Sequence, residues 1–108
     1  VTMEEFKERG MQEVINETLE KIGDNPVYIT FDLDSLDASV APAVSNIEPG
    51  FTGFTVDEAK ELIQSVKNKN VIGGDVVCLM PTKDQRNNIT SMVAASIMFE
   101  IISVIAFK

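Results

Sequence analysis

Apolar residues in the first part of the chain recur at three- and four-residue steps: Phe6, Met11, Val14, Ile15, Leu19 and Ile22. That spacing predicts one amphipathic helix over residues 2–22, opened by Thr2 as N-cap with Glu5 as its capping-box partner. Gly23-Asp24-Asn25-Pro26 ends it, because proline fixes the chain's exit. Residues 27–33 (VYITFDL) are β-branched and aromatic, which predicts a strand. From 34 to 54 no period persists, and Pro42, Pro49, Gly50 and Gly53 mark a long loop. Loops of that length inside compact domains are often functional. Thr55 and Glu58 form a second capping box, ahead of a helix with Val56, Ala59, Leu62, Ile63 and Val66 on one side. Asn68-Lys69-Asn70 closes that helix. Residues 71–79 (VIGGDVVCL) predict a second strand whose start is weakened by Gly73 and Gly74. A polar loop over 81–88 leads to a last helix over about 90–106.

Helices alternating with strands predict an α/β fold with a mainly parallel sheet. Both strands are nearly continuous apolar runs, which implies neighbouring strands on either side and helices over both faces. Two strands do not make a stable sheet. Residues 1–108 therefore form part of a single larger α/β domain.

Charge and cysteine content narrow the partners. Among 108 residues, 17 are acidic and 9 basic, giving a net charge of −8. Such a surface repels phosphate backbones and anionic lipid, so neither nucleic acid nor membrane is expected as a partner. The single cysteine forms no internal disulfide and fits a reducing compartment. No basic-then-apolar leader opens the chain, and the expected location is the cytoplasm. The apolar run 92–107 is interrupted by Ser96, Glu100 and Ser103 and falls short of the ~20 residues of a membrane span, so a buried helix is expected there. Glu100 within it either meets a second subunit or faces solvent.

The candidate chemistry lies where the first strand runs out, at Asp32, Asp34 and Asp37. On a strand, residues i and i+2 share a face, so Asp32 and Asp34 can aim two carboxylates at one point. Two carboxylates held together repel unless a cation sits between them, and a hard divalent ion suits oxygen ligands. Open α/β sheets also place ligands beyond the carboxyl ends of their strands. A bare D-x-D equally describes a solvated strand end, with Asp34 or Asp37 capping a turn.

The flanks add a resemblance. FDLDSLDASVAPAVS resembles the second metal-binding block of the ureohydrolases (arginase, agmatinase, formimidoylglutamase), S-F-D-x-D-x-x-D-P followed by A-P-G or T-P-A. MEEFKERGMQEVINETL is similar to the helix before that block, GFTVDEAKEL to the G-L-T-x-x-E-A after it, and DVVCLMPTKD to the strand-ending D-x-x-E-x-N-P. The agreement is colinear over nearly the whole chain. It implies a three-layer α/β/α arginase-like fold of which this is the C-terminal part, and a homo-oligomeric assembly. It also implies a Mn²⁺ pair ligated by Asp32 and Asp34, with a small amidine or guanidino compound as substrate. Such a metal pair lowers the pKa of a bridging water, making hydroxide available for C–N bond hydrolysis near neutral pH. Asp37 matches the block's third aspartate and is expected to shape the loop.

Departures from the pattern bear on activity. Cys78 stands where the family carries a glutamate that meets the substrate's cationic group, and it keeps neither charge nor bidentate geometry. Ala38 and Ala43 replace the loop's usual proline and glycine, and Ser45-Asn46-Ile47 replaces a T-G-T-P-like stretch. The chain has no histidine, so the family's histidine ligands must come from elsewhere, and this segment alone is expected to be inactive. APAVS resembles formimidoylglutamases slightly more than arginases. Lys83 and Arg86 are candidate anchors for a substrate carboxylate, or simply solvated loop charges. Cys78 also reads as a small buried hydrophobe. Two alternatives stand beside the hydrolase: a non-catalytic relative whose substrate site has decayed, and a haloacid-dehalogenase-type phosphatase, since ITFDLDSL resembles that family's D-x-D-x-T/S-L.

Overall fold

A computed structural model describes residues 1–47 and 52–107. Pro49 and Gly50, read above as loop punctuation, lie outside the described residues. The helix expected over 2–22 is two helices, α1 (Met3–Arg9) and α2 (Met11–Ile22). Gly10 separates them with a φ of +86°, a conformation that residues with a Cβ avoid. Its N–H closes α1 on the Phe6 carbonyl at 2.9 Å, and its carbonyl accepts the Val14 N–H of α2. Thr2 caps α1 as expected, its hydroxyl accepting the Glu5 N–H at 3.1 Å.

Strands β1 (Val27–Asp32) and β2 (Val71–Val77) pair in parallel, from Val27 beside Val71 to Asp32 beside Val77. The register shifts after Val27, leaving Ile72 as an extra, exposed residue. Both strands stop short of the sequence expectation. Leu33 leaves β1 for a 3₁₀ turn over Leu33–Ser35, and Cys78 leaves β2 with a φ of +73°. Helix α3 (Val56–Gln64) carries the complete capping box, Thr55 and Glu58 each accepting the other's backbone N–H.

Helix α4 (Ile89–Ala106) packs against β2 and α3, burying Thr90, Ile97, Ile101 and Val104. Its close approach to the sheet depends on Gly74, where an added Cβ would stand 2.6 Å from Cγ2 of Ile101 and 2.8 Å from the Ile29 carbonyl oxygen. The weak β-former is thus a packing requirement. Leu33, Leu36, Val71, Ala59 and Ile63 complete the core with the buried face of α4. Tyr28 and Thr30 on β1 are exposed, and on that face both hydroxyls donate to Asp75. Helix α4 is long and apolar enough to cross a membrane, with a mean hydropathy of 2.0 over 18 residues. It nevertheless lies on the sheet along one side, and its Glu100 is engaged by α3: Gln64 donates to it and Lys60 lies 3.9 Å away. Met92, Phe99 and Ile102 on its other side are exposed.

The start of α4 is capped from a distance. Asn88, with a φ of +57°, makes no side-chain cap. The Asp84 carboxylate instead accepts the backbone N–H groups of Thr90 (3.1 Å) and Ser91 (2.8 Å) and the Ser91 hydroxyl (2.6 Å). These donors, the Ser91 hydroxyl foremost, hold Asp84 down at a pKa of about 2 against an ordinary 3.8. A depressed carboxylate contributes stability that is present above the unfolded pKa and is lost as pH falls through the folded one. In thermal melts of the complete protein, Asp84→Asn is expected to melt a few degrees below wild type at pH 5–7. That gap should close as pH falls from about 4 toward 2; a gap independent of pH would show that the charge is not what caps α4.

Candidate metal centre

The residues expected to hold a metal sit where β1 gives way to its 3₁₀ turn. Asp32 ends the strand, and its Oδ1 accepts the Asp34 N–H at 3.1 Å, so its side chain caps the turn. The Ser35 hydroxyl donates to the Asp32 carbonyl at 2.7 Å and tightens the same turn. Asp34 therefore does not reach the site by strand alternation, as the i, i+2 spacing suggested. The turn carries it there. Leu33 and Leu36, both buried, anchor the turn into the core on either side.

Cys78 arrives from the neighbouring strand. Its predecessor Val77 pairs with Asp32, so a continued strand would send the Cys78 side chain to the face opposite Asp32. The left-handed backbone at Cys78 turns it back, and its Sγ lies within 4.8 Å of an Asp32 carboxylate oxygen. One carboxylate oxygen each from Asp32 and Asp34 and the Cys78 Sγ all lie within 4.8 Å of one another. All three residues are half-buried. The hydrogen bond to Asp32, then partial burial and the negative charges of Asp32 and Asp34, push the Cys78 thiol up. The reading of Cys78 as an inert core residue is not what the structure has: the thiol faces carboxylates.

The loop after the turn frames this centre. Asp37 shapes it, its Oδ1 accepting the Ser39 N–H (3.0 Å) and hydroxyl (2.7 Å). Those two bonds, the hydroxyl's the stronger, lower the Asp37 pKa. The segment around Phe54 returns alongside, the Asp37 N–H donating to the Phe54 carbonyl and the Phe54 N–H to the Ser35 carbonyl, each at 2.9 Å. Gly53 permits this crossing, since a Cβ there would lie 2.3 Å from the Asp37 nitrogen. Phe54 meets Phe6 edge-to-face at 5.1 Å, which ties the loop to α1. Further on, Ala43 accepts the Met80 N–H, and the Ser45 N–H donates to the Cys78 carbonyl. Thr90, fully buried, holds the loop from α4 by accepting the Ala43 N–H at 3.2 Å. Sequence reasoning passed over Thr90; its place one residue inside the last helix gave no sign of a tertiary bond.

Lys83 stands on the same rim, its Nζ donating to the Ser45 carbonyl at 3.2 Å. Arg86 is exposed in the loop before α4. A separate cavity of about 430 Å³ borders Asp34 on the α1 side, walled by Met3, Phe6, Phe54 and Leu62 among others, but neither Asp32 nor Cys78 lines it. The carboxylates therefore converge on the β2 side of the turn.

A parallel α/β sheet with carboxylates gathered beyond its strand ends defines the class of molecule. A model of the arginase family matches residues 1–103, and the chain belongs to that family. This displaces the phosphatase alternative. An agmatinase of Escherichia coli O7:K1 is 38% identical over 104 residues, covering 96% of this chain and 33% of the relative. Among solved structures, the proclavaminate amidino hydrolase of Streptomyces clavuligerus superposes with a TM-score of 0.90 at 33% identity, over 98% of this chain and 35% of that one. The formimidoylglutamase of Bacillus subtilis does so with a TM-score of 0.84 at 32% identity, over 96% and 33%. The chain thus spans about a third of the length of the relatives it matches.

The donor set suits a divalent cation. Metal–ligand bonds of about 2.0–2.3 Å place any two donors on one ion at most about 4.6 Å apart, and the donor atoms of Asp32, Asp34 and Cys78 all lie within 4.8 Å of one another, so small side-chain rotations bring them onto one ion. A cation there would also relieve the repulsion of two adjacent carboxylates.

Proposed function

We propose that the complete protein is a metal-dependent amidinohydrolase that cleaves linear amidine or guanidinium C–N bonds, with Asp32 and Asp34 supplying two ligands to a Mn²⁺ pair. The observation that carries this reading is the convergence of the two carboxylates beyond β1, in a chain of the arginase family. A bound divalent pair lowers the pKa of coordinated water enough to make a nucleophile available near neutral pH. This chain's own contribution is to orient that centre: the Asp34 N–H fixes the Asp32 carboxylate, and Ser35 fixes the turn. The remaining ligands would come from parts of the protein beyond these residues. A cytoplasmic homo-oligomer binding neither nucleic acid nor membrane is proposed with it, on the strength of the −8 charge and the family resemblance.

Cys78 shapes the substrate reading. Several relatives are named agmatinases, which supports the guanidinium class, but a cysteine beside Asp32 offers no bidentate carboxylate partner to a cationic group. A substrate with its own carboxylate, held at its far end by Lys83 on the rim, fits this site better than agmatine, which has none. The test is to load the full-length protein with Mn²⁺ and to compare formamide release from formimidoylglutamate with urea release from agmatine and arginine. Formamide release is expected to dominate, and urea release from agmatine exceeding it would overturn the substrate reading. Cys78 also favours a second reading, a non-catalytic family member; turnover of none of the three substrates despite bound metal would select it.

A further inference from the structure

We infer that Cys78 is itself a metal ligand, giving one ion of the centre a mixed carboxylate–thiolate donor set that favours a thiophilic divalent ion such as Zn²⁺ over Mn²⁺. The inference rests on the metal-centre reading proposed above and changes what that centre selects.

Three observations lead to it. The Cys78 Sγ lies in the same cluster as the Asp32 and Asp34 oxygens, all within 4.8 Å. One ion with a sulfur bond of about 2.3 Å and oxygen bonds of about 2.0–2.2 Å needs donors no more than about 4.5 Å apart, which small side-chain rotations supply from this cluster. A left-handed backbone at Cys78 sets its thiol in the cluster with the Asp32 and Asp34 oxygens. Asp32 and Asp34 come from one turn and Cys78 from the adjacent strand, so the three donors approach from two directions.

The chemistry follows from the donor types. Carboxylates hold Mn²⁺ and Zn²⁺ with little discrimination of softness, whereas thiolate sulfur selects zinc-like ions strongly. Coordination forms one sulfur–metal bond, and the thiol proton leaves Sγ for solvent. The family's glutamate at this position serves the substrate; a cysteine, shorter and softer, serves the ion.

The experiment uses the full-length protein, stripped of metal by chelation and reloaded. Wild type loaded with Co²⁺ is expected to show a thiolate-to-cobalt charge-transfer band in the near ultraviolet that Cys78→Ala and Cys78→Glu both lack. After dialysis against equal concentrations of Mn²⁺ and Zn²⁺, metal analysis should give a zinc-to-manganese ratio at least about tenfold higher in wild type than in either variant. The wild-type spectrum requires no variant to fold. Cobalt bound without the band, or equal metal ratios in all three proteins, would overturn the thiolate ligand while leaving the Asp32–Asp34 centre standing. Cobalt retained undiminished by Asp32→Asn would overturn the centre, and this inference with it.

Discussion

Asp32→Asn and Asp34→Asn, each introduced into the complete protein, are expected to lower bound metal well below the wild-type complement and to abolish measurable amidine hydrolysis. Loss of an outer-shell partner of a metal site costs roughly 10- to 100-fold in affinity or activity, and loss of a direct ligand should exceed that. Both variants should stay folded. Asp32 also caps the turn by accepting the Asp34 N–H, a role that an asparagine Oδ1 can retain. Neither change therefore needs to disturb the fold, and metal analysis of folded protein separates a lost ligand from a lost structure. Full metal occupancy in both variants would remove these aspartates from the centre.

Cys78→Glu is expected to raise kcat/KM for agmatine by about 10- to 100-fold, the worth of one charge-assisted hydrogen bond to a cationic substrate. The gain should appear with Mn²⁺ bound, because the same substitution withdraws the sulfur donor that favours zinc. Turnover of formimidoylglutamate should change less, since that substrate can be held from its carboxylate end. Steady-state assays of wild type and variant on both substrates check this. An unchanged preference between agmatine and formimidoylglutamate would show that position 78 does not determine specificity. The substitution has one structural risk. Position 78 has a φ of +73°, which strains glutamate no more than cysteine, but the longer side chain must find room beside Asp32.

Legibility in the sequence varied with the range of the interaction. The capping box at Thr55 and Glu58 and the parallel α/β order were readable because each is set by residues a few positions apart or by a repeating period. The break at Gly10 was not read: the apolar steps continue across it, and only its φ of +86° divides the helix. Asp32 and Asp34 were found for an incomplete reason. They do share one point in space, but a 3₁₀ turn capped by Asp32, not a continuing strand, brings Asp34 there. The distal cap on α4 was missed because Asp84 lies six and seven residues from the N–H groups it serves, beyond the reach of the usual N-cap pattern.

By itself, then, the sequence determined the order of helices and strands, the helix caps at Thr2 and Thr55, the family resemblance and the candidate acidic pair, since local hydrogen bonding and side-chain periodicity act over one or two turns of chain. The tertiary structure alone decided where Cys78 points. A residue at a strand's end has two faces open to it, and nothing within a few positions of Cys78 states that its backbone turns left-handed toward Asp32, forty-six positions earlier in the chain. The same holds for Gly74, whose missing Cβ has meaning only against Ile101 of the helix packed on it. Contacts between distant parts of the chain depend on how the sheet sets β1 beside β2 and α4 across them, and that arrangement is fixed by the buried surface as a whole.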